Sequence, residues 1–256
     1  MKFLVGDIGN SEIKICLLDY NYKIIKKIYF ETSKIKQNNF IKKKIKSFIK
    51  NYKIIPPAFF ASVVPSAYTK IKKVFHNNFK IPCKELKQID INKIIKINVK
   101  KKQIGSDRIA NAIGAFYFYK TNCIIIDFGT ATTFDVVIKA VYKGGIIAPG
   151  LKLSLNTLVK SAEQIPSFSL KKVKKVIGNS TVTALRSGFF WGYTGLIYNI
   201  VELIKKETNC KFKIILTGGF SYLFKNSLKS KVVIDSEITI KGLVKILKNK
   251  NNLKLL

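Results

Sequence analysis

Histidine is almost missing from this chain of 256 residues, His76 being the single copy. It lies in Lys72-Lys-Val-Phe-His-Asn-Asn78, which reads as the exposed end of a helix. A single imidazole in that setting argues against a histidine-dependent nucleophilic triad and against a histidine-rich metal centre. Cysteine is nearly as scarce. Cys16, Cys83, Cys123 and Cys210 are far apart, sit in apolar surroundings and form no C-x-x-C pair, so buried reduced thiols are expected rather than a disulfide frame or a zinc site. No uninterrupted apolar stretch approaches the roughly 18 residues that span a bilayer. The apolar start is cut short by Asp7 before it could act as a signal-peptide core, so a cytoplasmic location and no membrane partner are expected. Arginine is rare as well: Arg108 and Arg186 are the two among 47 basic residues, which leaves 45 lysines (47 − 2). The formal charge of +33 invites a nucleic-acid partner. Specific readers favour arginine, however, and these lysines are spread along amphipathic stretches such as Ile41–Lys50 and Lys241–Lys250. A solvated lysine coat with nonspecific attraction to polyanions at low salt is expected, and no specific nucleic-acid partner.

What is present is an apolar content of 47%, enough for a sizeable core in one large domain or in two of about 120 residues. A repeat favours two. Val-Gly-Asp-Ile-Gly-Asn-Ser over Val5–Ser11 and Ile-Ile-Asp-Phe-Gly-Thr-Ala over Ile125–Ala131 share an apolar run, Asp-x-Gly and a small polar residue, and Asp7 and Asp127 are 120 positions apart (127 − 7). Each copy reads as a β-hairpin with a carboxylate at the mouth of its tight turn. Such a turn suits a nucleotide: the glycine brings backbone N–H groups to phosphate oxygens, the neighbouring hydroxyl or amide adds a donor, and the Asp can hold a cation. Either copy alone is equally an ordinary turn. Recurrence with the same spacing favours the pair as a clamp for one triphosphate.

The first half reads as strands Lys2–Gly6, Ile13–Asp19 and Lys23–Phe30 in an antiparallel meander, a helix over Phe40–Lys50, a buried strand Ala58–Val64 and a helix over Tyr68–Phe79. An edge strand at Ile94–Val99 follows, then an apolar helix capped by Ser106 or Asp107 and running through Tyr119. The second half repeats the order with strands Cys123–Asp127, Thr132–Ile138 and Val141–Ile147, and a helix after Pro149-Gly150. A long helix from Asn179–Thr181 toward Lys206, a strand Phe212–Leu216 and a closing helix Ile238–Leu247 complete it. Three strands, helix, strand, helix, strand, helix, twice over, predicts an α/β fold of two ribonuclease-H-like domains facing a cleft. The hinge is expected to be helical, near Ala115–Asn122.

Seven short motifs then occur in a recognisable order: Asp7-Ile-Gly-Asn-Ser11, Ala61-Ser-Val-Val-Pro65, Gly105-Ser-Asp-Arg108, Asp127-Phe-Gly-Thr-Ala131, Gly144-Gly-Ile-Ile-Ala-Pro-Gly150, Ile177-Gly-Asn-Ser-Thr181 and Thr217-Gly-Gly219. Each alone is common, but the ordered set resembles the type III pantothenate kinases over residues 3 to about 220. That family is in turn similar to the acetate kinases, sugar kinases and actin-like proteins, whose two domains close over ATP. The resemblance implies domains at 1–118, with the first phosphate loop and the catalytic Asp, and 119–256, with the second loop and the cation and substrate contacts. It implies transfer of the γ-phosphoryl group of ATP to the primary hydroxyl of pantothenate, giving 4′-phosphopantothenate on the way to coenzyme A. Asp107 matches the family's general base, and Gly105, Ser106, Asp107 and Arg108, with Thr181, match its pantothenate contacts. Asp7, Ile8, Gly9, Asn10, Ser11, Glu12, Ile13 and Lys14, with Thr130, match its ATP contacts. Asp7 would hold Mg²⁺, and Asp127 matches the site of a monovalent cation, K⁺ or NH₄⁺. Gly218 and Gly219 fit a turn that admits adenine or ribose. A homodimer is implied, with the apolar face of Phe189–Leu203 as a dimer helix or, equally, as core.

Bottom-up, the groups suit the reaction. An alcohol acceptor needs a base, and the rest of phosphoryl transfer is positioning and charge neutralisation. Arg108, in a chain that otherwise uses lysine, suggests a fixed guanidinium fork for a carboxylate or phosphate. Asp107 also reads as a helix cap, Thr181 as another, and Lys14 as an exposed strand lysine. The segment Ile95–Ile104 departs from the family pattern: Val99 stands near a tyrosine position, an Asn-Pro turn is absent and one residue is missing. A kinase of another small alcohol or acid, or a nonenzymatic nucleotide-binding regulator, is the alternative reading.

Overall fold

The computed structural model describes residues 2–228 and 231–249. In chain order the elements are β1 Phe3–Ile8, β2 Glu12–Leu18, β3 Ile24–Glu31, α1 Asn38–Ile49, β4 Ala58–Ser62, α2 Pro65–Phe79, β5 Cys83–Glu85, β6 Lys96–Ile97 and α3 Ser106–Tyr119. They continue as β7 Cys123–Phe128, β8 Ala131–Ile138, β9 Val141–Pro149, α4 Leu151–Ser161, α5 Thr181–Thr208, β10 Lys213–Gly218, α6 Ser221–Phe224, β11 Val232–Ile234 and α7 Ile238–Lys248. No helix among the described residues is long and apolar enough to cross a membrane.

The described residues form two compact units. The first unit is built on a sheet ordered β3-β2-β1-β4-β5, with β1 antiparallel to β2 and parallel to β4. Strand alternation sorts its side chains. Leu4 and Ile8 join Ile13, Ile15, Leu17 and Phe60 on one face, against Ile41, Ile45 and Phe48 of α1 and Ile71 and Phe75 of α2. The register partners Val5 and Cys16, and with them Asp7 and Lys14, belong to the other face, on the side where α7 meets β1 and β4. Pro65 opens α2 rather than closing the strand before it, as suits a residue with fixed φ and no N–H at a first helical position.

The second unit repeats the plan. Its strands run in the order β11-β10-β7-β8-β9, with β7 antiparallel to β8 and parallel to β10. Ile124, Ile126, Phe134 and Leu216 pack on Phe190, Ile197 and Val201 of α5, and Phe224 stacks on Phe128 at 5.2 Å between ring centroids. The expected edge strand is short: β6 pairs in parallel with the first two residues of β9, Lys96 with Val141 and Ile97 with Tyr142.

The chain passes from one unit to the other at Lys120/Thr121, after α3, against the expected boundary at 118/119. Two segments differ from a clean halving. Ala140–Tyr142 and the described residues from Glu237 on cluster with the first unit, so α7, expected in the second, is part of the first. The reason is a close helix contact. A Cβ on Gly242 would collide with the carbonyl oxygen of Ala110, and one on Gly114 would collide with the carbonyl of Ile238 and stand 2.9 Å from the Gly242 nitrogen. Thr239 Oγ1 donates to Asn111 Oδ1 across the same contact, at 2.7 Å. Gly242→Ala is expected to lower stability by about 2 kcal/mol or more, because backbone rather than a flexible side chain must yield. Urea denaturation followed by circular dichroism measures it, and an unchanged midpoint would refute the role assigned to this contact.

Candidate active site

The first turn is held from behind. Gly9 N–H donates to the Glu12 carbonyl at 3.0 Å, closing the hairpin between β1 and β2. Thr32, just past β3, donates through Oγ1 to the Gly9 carbonyl at 2.7 Å and through N–H to the Ser11 carbonyl at 3.0 Å. The carbonyls that would repel an anion are thus tied back, and Asn10 and Ser11 remain exposed at the tip. Of the remaining residues expected at ATP, Ile8 and Ile13 put their side chains in the core and have only backbone to offer. The Glu12 side chain is exposed, whereas Asp7 and Lys14 are half-buried register partners, side by side at the end of β1.

The second turn is similar but one residue tighter, Gly129 N–H donating to the Ala131 carbonyl at 3.1 Å. Thr130 is exposed there and Asp127 half-buried. Gly218, at the end of β10, has φ +81, and a Cβ on it would stand 2.7 Å from Asp127 Oδ1 and from the Phe128 backbone. A glycine is required here on both counts, and the Gly218-Gly219 turn therefore borders the Asp127 carboxylate. Thr181 is the first residue of α5, but it is not the cap. Ser180 is the cap: its Oγ accepts from Thr183 N–H at 3.3 Å and its own N–H donates back to Thr183 Oγ1 at 3.0 Å. The Thr181 side chain is exposed and plays no part in this capping box.

Neither Ser106 nor Asp107 caps α3; Gly105 holds that position and the two follow as its first turn. The Asp107 carboxylate folds back, accepting Arg108 N–H at 2.7 Å. It lies where a Cβ on Gly105 would stand, so Gly105 is a glycine for space, its φ of −62 being ordinary. Burial pushes the Asp107 carboxyl above the usual carboxylate range, while the N–H and guanidinium of Arg108 pull it down less strongly. A carboxylate so placed is a stronger proton acceptor than an exposed one, and it stays ionised at neutral pH only at some cost to the fold.

Three residues behind these groups escaped the reading of the sequence: Thr32, Glu85 and Glu237. Glu85, at the end of β5, takes the hydroxyl proton of buried Ser106 in a hydrogen bond through Oε1. The same oxygen accepts Ser62 N–H at 3.4 Å, and Oε2 accepts Lys87 N–H at 2.7 Å. One carboxylate thereby ties the end of β4 to the start of the helix that bears Asp107. A polar residue three positions before Gln88 was the available signal, since Glu85 and Gln88 form a capping box around a short 3₁₀ turn. Among the described residues no group of three or more His, Cys, Asp or Glu gathers as a metal cluster.

A family model described as type III pantothenate kinase matches residues 3–203. The type III pantothenate kinase of Pelagibacter ubique (strain HTCC1062) is 56% identical over 242 residues, 94% of this chain and 97% of that protein. The chain belongs to the type III pantothenate kinases. Solved structures add the fold alone. A protein from Campylobacter jejuni, assigned as a Baf family transcriptional activator, superposes with a TM-score of 0.61 at 19% identity, over 97% of this chain and 99% of that one. A Sinorhizobium meliloti protein, assigned as a 2-dehydro-3-deoxygalactonokinase, gives 0.58 at 9% identity over 96% of each. The fold of this type III pantothenate kinase is accordingly the two-unit, ribonuclease-H-like arrangement shared with sugar kinases.

For such a kinase a raised Asp107 has a measurable sign. Its proton is held more tightly in the folded state, so its stabilising effect is full below the unfolded-state pKa and lost as pH rises through the folded value. At neutral pH the ionised group therefore costs stability, and Asp107→Asn is expected to melt at the same temperature as the parent or higher. The difference should shrink toward about pH 4, where the parent carboxyl is protonated. Melting more than about 4 °C below the parent at pH 7 would contradict this sign.

Proposed function

We propose that Asp107 is the general base in the reaction that family membership assigns to this chain, ATP-dependent phosphorylation of the primary hydroxyl of pantothenate. The product is 4′-phosphopantothenate, on the way to coenzyme A. The observation that carries the assignment is the carboxylate folded back over Gly105 at the start of α3, partly desolvated and next to a guanidinium. As the pantothenate hydroxyl attacks the γ-phosphorus, its O–H bond breaks toward an Asp107 oxygen, the new O–P bond forms and the bond to the β-phosphate oxygen breaks, releasing ADP. Gly105, Ser106 and Arg108 hold pantothenate, Arg108 through the carboxylate at the other end of the substrate. Thr181, with its hydroxyl outside the capping box, is a second substrate contact. Asp7 to Lys14 cradle the phosphates, with the turn amides and the Lys14 ammonium as donors, and Thr130 contributes from the second turn.

Mg²⁺ fits Asp7. It keeps most of its waters and takes one or two carboxylates plus substrate phosphates, so a lone half-buried carboxylate at a phosphate turn suits it better than a cluster would. When bound it neutralises phosphate charge. Asp127, beside the Gly218-Gly219 turn, suits a monovalent cation, K⁺ or NH₄⁺, as an oxygen ligand. A homodimer fits the groove of about 580 Å³ lined by Leu158, Leu185, Phe189 and Leu196. Gly188 and Gly192 in α5 open onto it with no atom within 4 Å of where a Cβ would stand, an arrangement that favours a closely approaching partner helix. Sedimentation should give twice the chain mass, and Gly192→Trp half of that. A cytoplasmic location agrees with Cys16, Cys83 and Cys123, buried free thiols whose pKa values burial pushes to about 12.

Incubation with pantothenate, ATP and Mg²⁺, read by mass spectrometry, is expected to yield 4′-phosphopantothenate with K⁺ and far less with Na⁺. Asp107→Asn should lower kcat by about a hundredfold or more while ATP still binds. Turnover retained by that variant would remove Asp107 from the role of base. No product from the parent protein, with ATP bound, would point to a different acceptor and to the altered Val99 segment, where Val99 is 38% exposed.

A further inference from the structure

The first phosphate turn is joined to a residue more than two hundred positions away. Lys14 Nζ lies 2.7 Å from Glu237 Oε2, and Lys27 Nζ lies 2.6 Å from Glu237 Oε1. The Lys14 and Glu237 side chains are only 14% and 20% exposed, so this pair is screened less than an ordinary surface ion pair. The buried Cys16 thiol feels Lys14, Glu237, Lys27 and Asp7 together, which puts two ammoniums and two carboxylates around one point on the α7 face of the sheet. Glu237 directly precedes α7, and that helix is fixed in place at Gly114 and Asn111 of α3.

We propose that Glu237 is a positioning residue that presets the Lys14 ammonium for the phosphates of ATP. The inference rests on the reading of Lys14 as a phosphate ligand. A free lysine side chain gives up as much as about 2 kcal/mol of rotamer freedom when it is immobilised. A carboxylate that takes one ammonium on each oxygen removes that freedom before the nucleotide arrives. Lys27 keeps the arrangement neutral: its hydrogen bond with Glu237 holds its own pKa above the usual lysine range, so it remains charged. Glu237 therefore stays compensated by Lys27 when Lys14 turns its charge toward phosphate. Without Glu237, Lys14 is left beside its register partner Asp7, whose carboxylate competes for the ammonium and is lost to Mg²⁺ to that extent.

The test is steady-state kinetics on the full chain with both substrates varied. Glu237→Gln is expected to raise KM for ATP about tenfold, with kcat and KM for pantothenate within about twofold of the parent. Glu237→Asp should recover most of the ATP effect. Lys27→Met should shift KM for ATP in the same direction by a smaller factor. Thr239→Val removes the hydrogen bond to Asn111 without touching the charges, and it should lower the melting temperature while leaving KM for ATP unchanged. If Lys14→Met raises KM for ATP and Glu237→Gln does not, Lys14 remains a phosphate ligand and the positioning role falls. If Lys14→Met itself leaves KM for ATP unchanged, the reading of Lys14 falls and the proposal with it. Equal losses in both KM values and kcat, with no rescue by Glu237→Asp, would mark Glu237 as structural only.

Discussion

The close crossing of α3 and α7 is the contact on which the first unit's chemistry depends. Two backbones meet there because Gly114 and Gly242 carry no side chain, and a methyl group on either would strike a carbonyl oxygen. Helix α3 presents Asp107 at its start, and α7 is preceded by Glu237, which grips Lys14 beside Asp7. One helix pair therefore fixes two groups of opposite charge, the Asp107 carboxylate and, through Glu237, the Lys14 ammonium. Helices hold such groups more firmly than loops do, and the hydrogen bond from Thr239 to Asn111 adds stability to the crossing that the glycines define.

Electrostatics in this unit work by concentration rather than by total charge. In a protein with a net charge of +33, the buried Cys16 thiol beside the first Asp-x-Gly turn feels two ammoniums, Lys14 and Lys27, balanced by two carboxylates, Glu237 and Asp7, while many other lysines lie exposed in turns, loops and helix faces. Two half-buried lysines of α7 place their ammoniums over aromatic rings: Lys241 Nζ stands 3.7 Å from the Phe118 ring centre and Lys245 Nζ 4.0 Å from that of Tyr117. The acidic side chains are few, and those near the site are each engaged in a defined geometry. Glu85 ties Ser62 and Ser106 together, Asp107 folds onto Arg108 N–H, and Glu237 spans Lys14 and Lys27.

What could be read from the chain was whatever local chemistry writes in short strings. The two Asp-x-Gly turns, the meanders that flank them and the amphipathic helices α1, α2 and α5 carry their signals within a dozen residues. Long-range pairing does not. Strands β5 and β11 are three residues each and exist because β4 and β10 offer them edges. Helix α7 looks like any closing helix, and only the facing glycine in α3 reveals which unit receives it. The caps illustrate the same limit: Ser106 and Asp107 have capping side chains, but one is drawn off by Glu85 and the other by Arg108 N–H, leaving the cap position to Gly105. Glu85 left a local trace in its capping box with Gln88, but its hold on Ser106, like the contacts of Thr32 with Gly9 and of Glu237 with Lys14, joins residues distant in sequence and leaves no short string to read.

The return of α7 to the first unit has a consequence for biosynthesis. During translation the sheet that holds the first Asp-x-Gly turn is made early, yet the residues from Glu237 on that complete that unit are made after the whole second unit has been synthesised. Until then Asn111 and the close-contact surface at Gly114 stay open on α3, and Lys14 lacks its Glu237 carboxylate. The order of synthesis thus imposes an order of maturation. The Glu237–Lys14 ion pair is assembled last, so an unfinished chain holds Asp107 on α3 before Lys14 has its carboxylate partner.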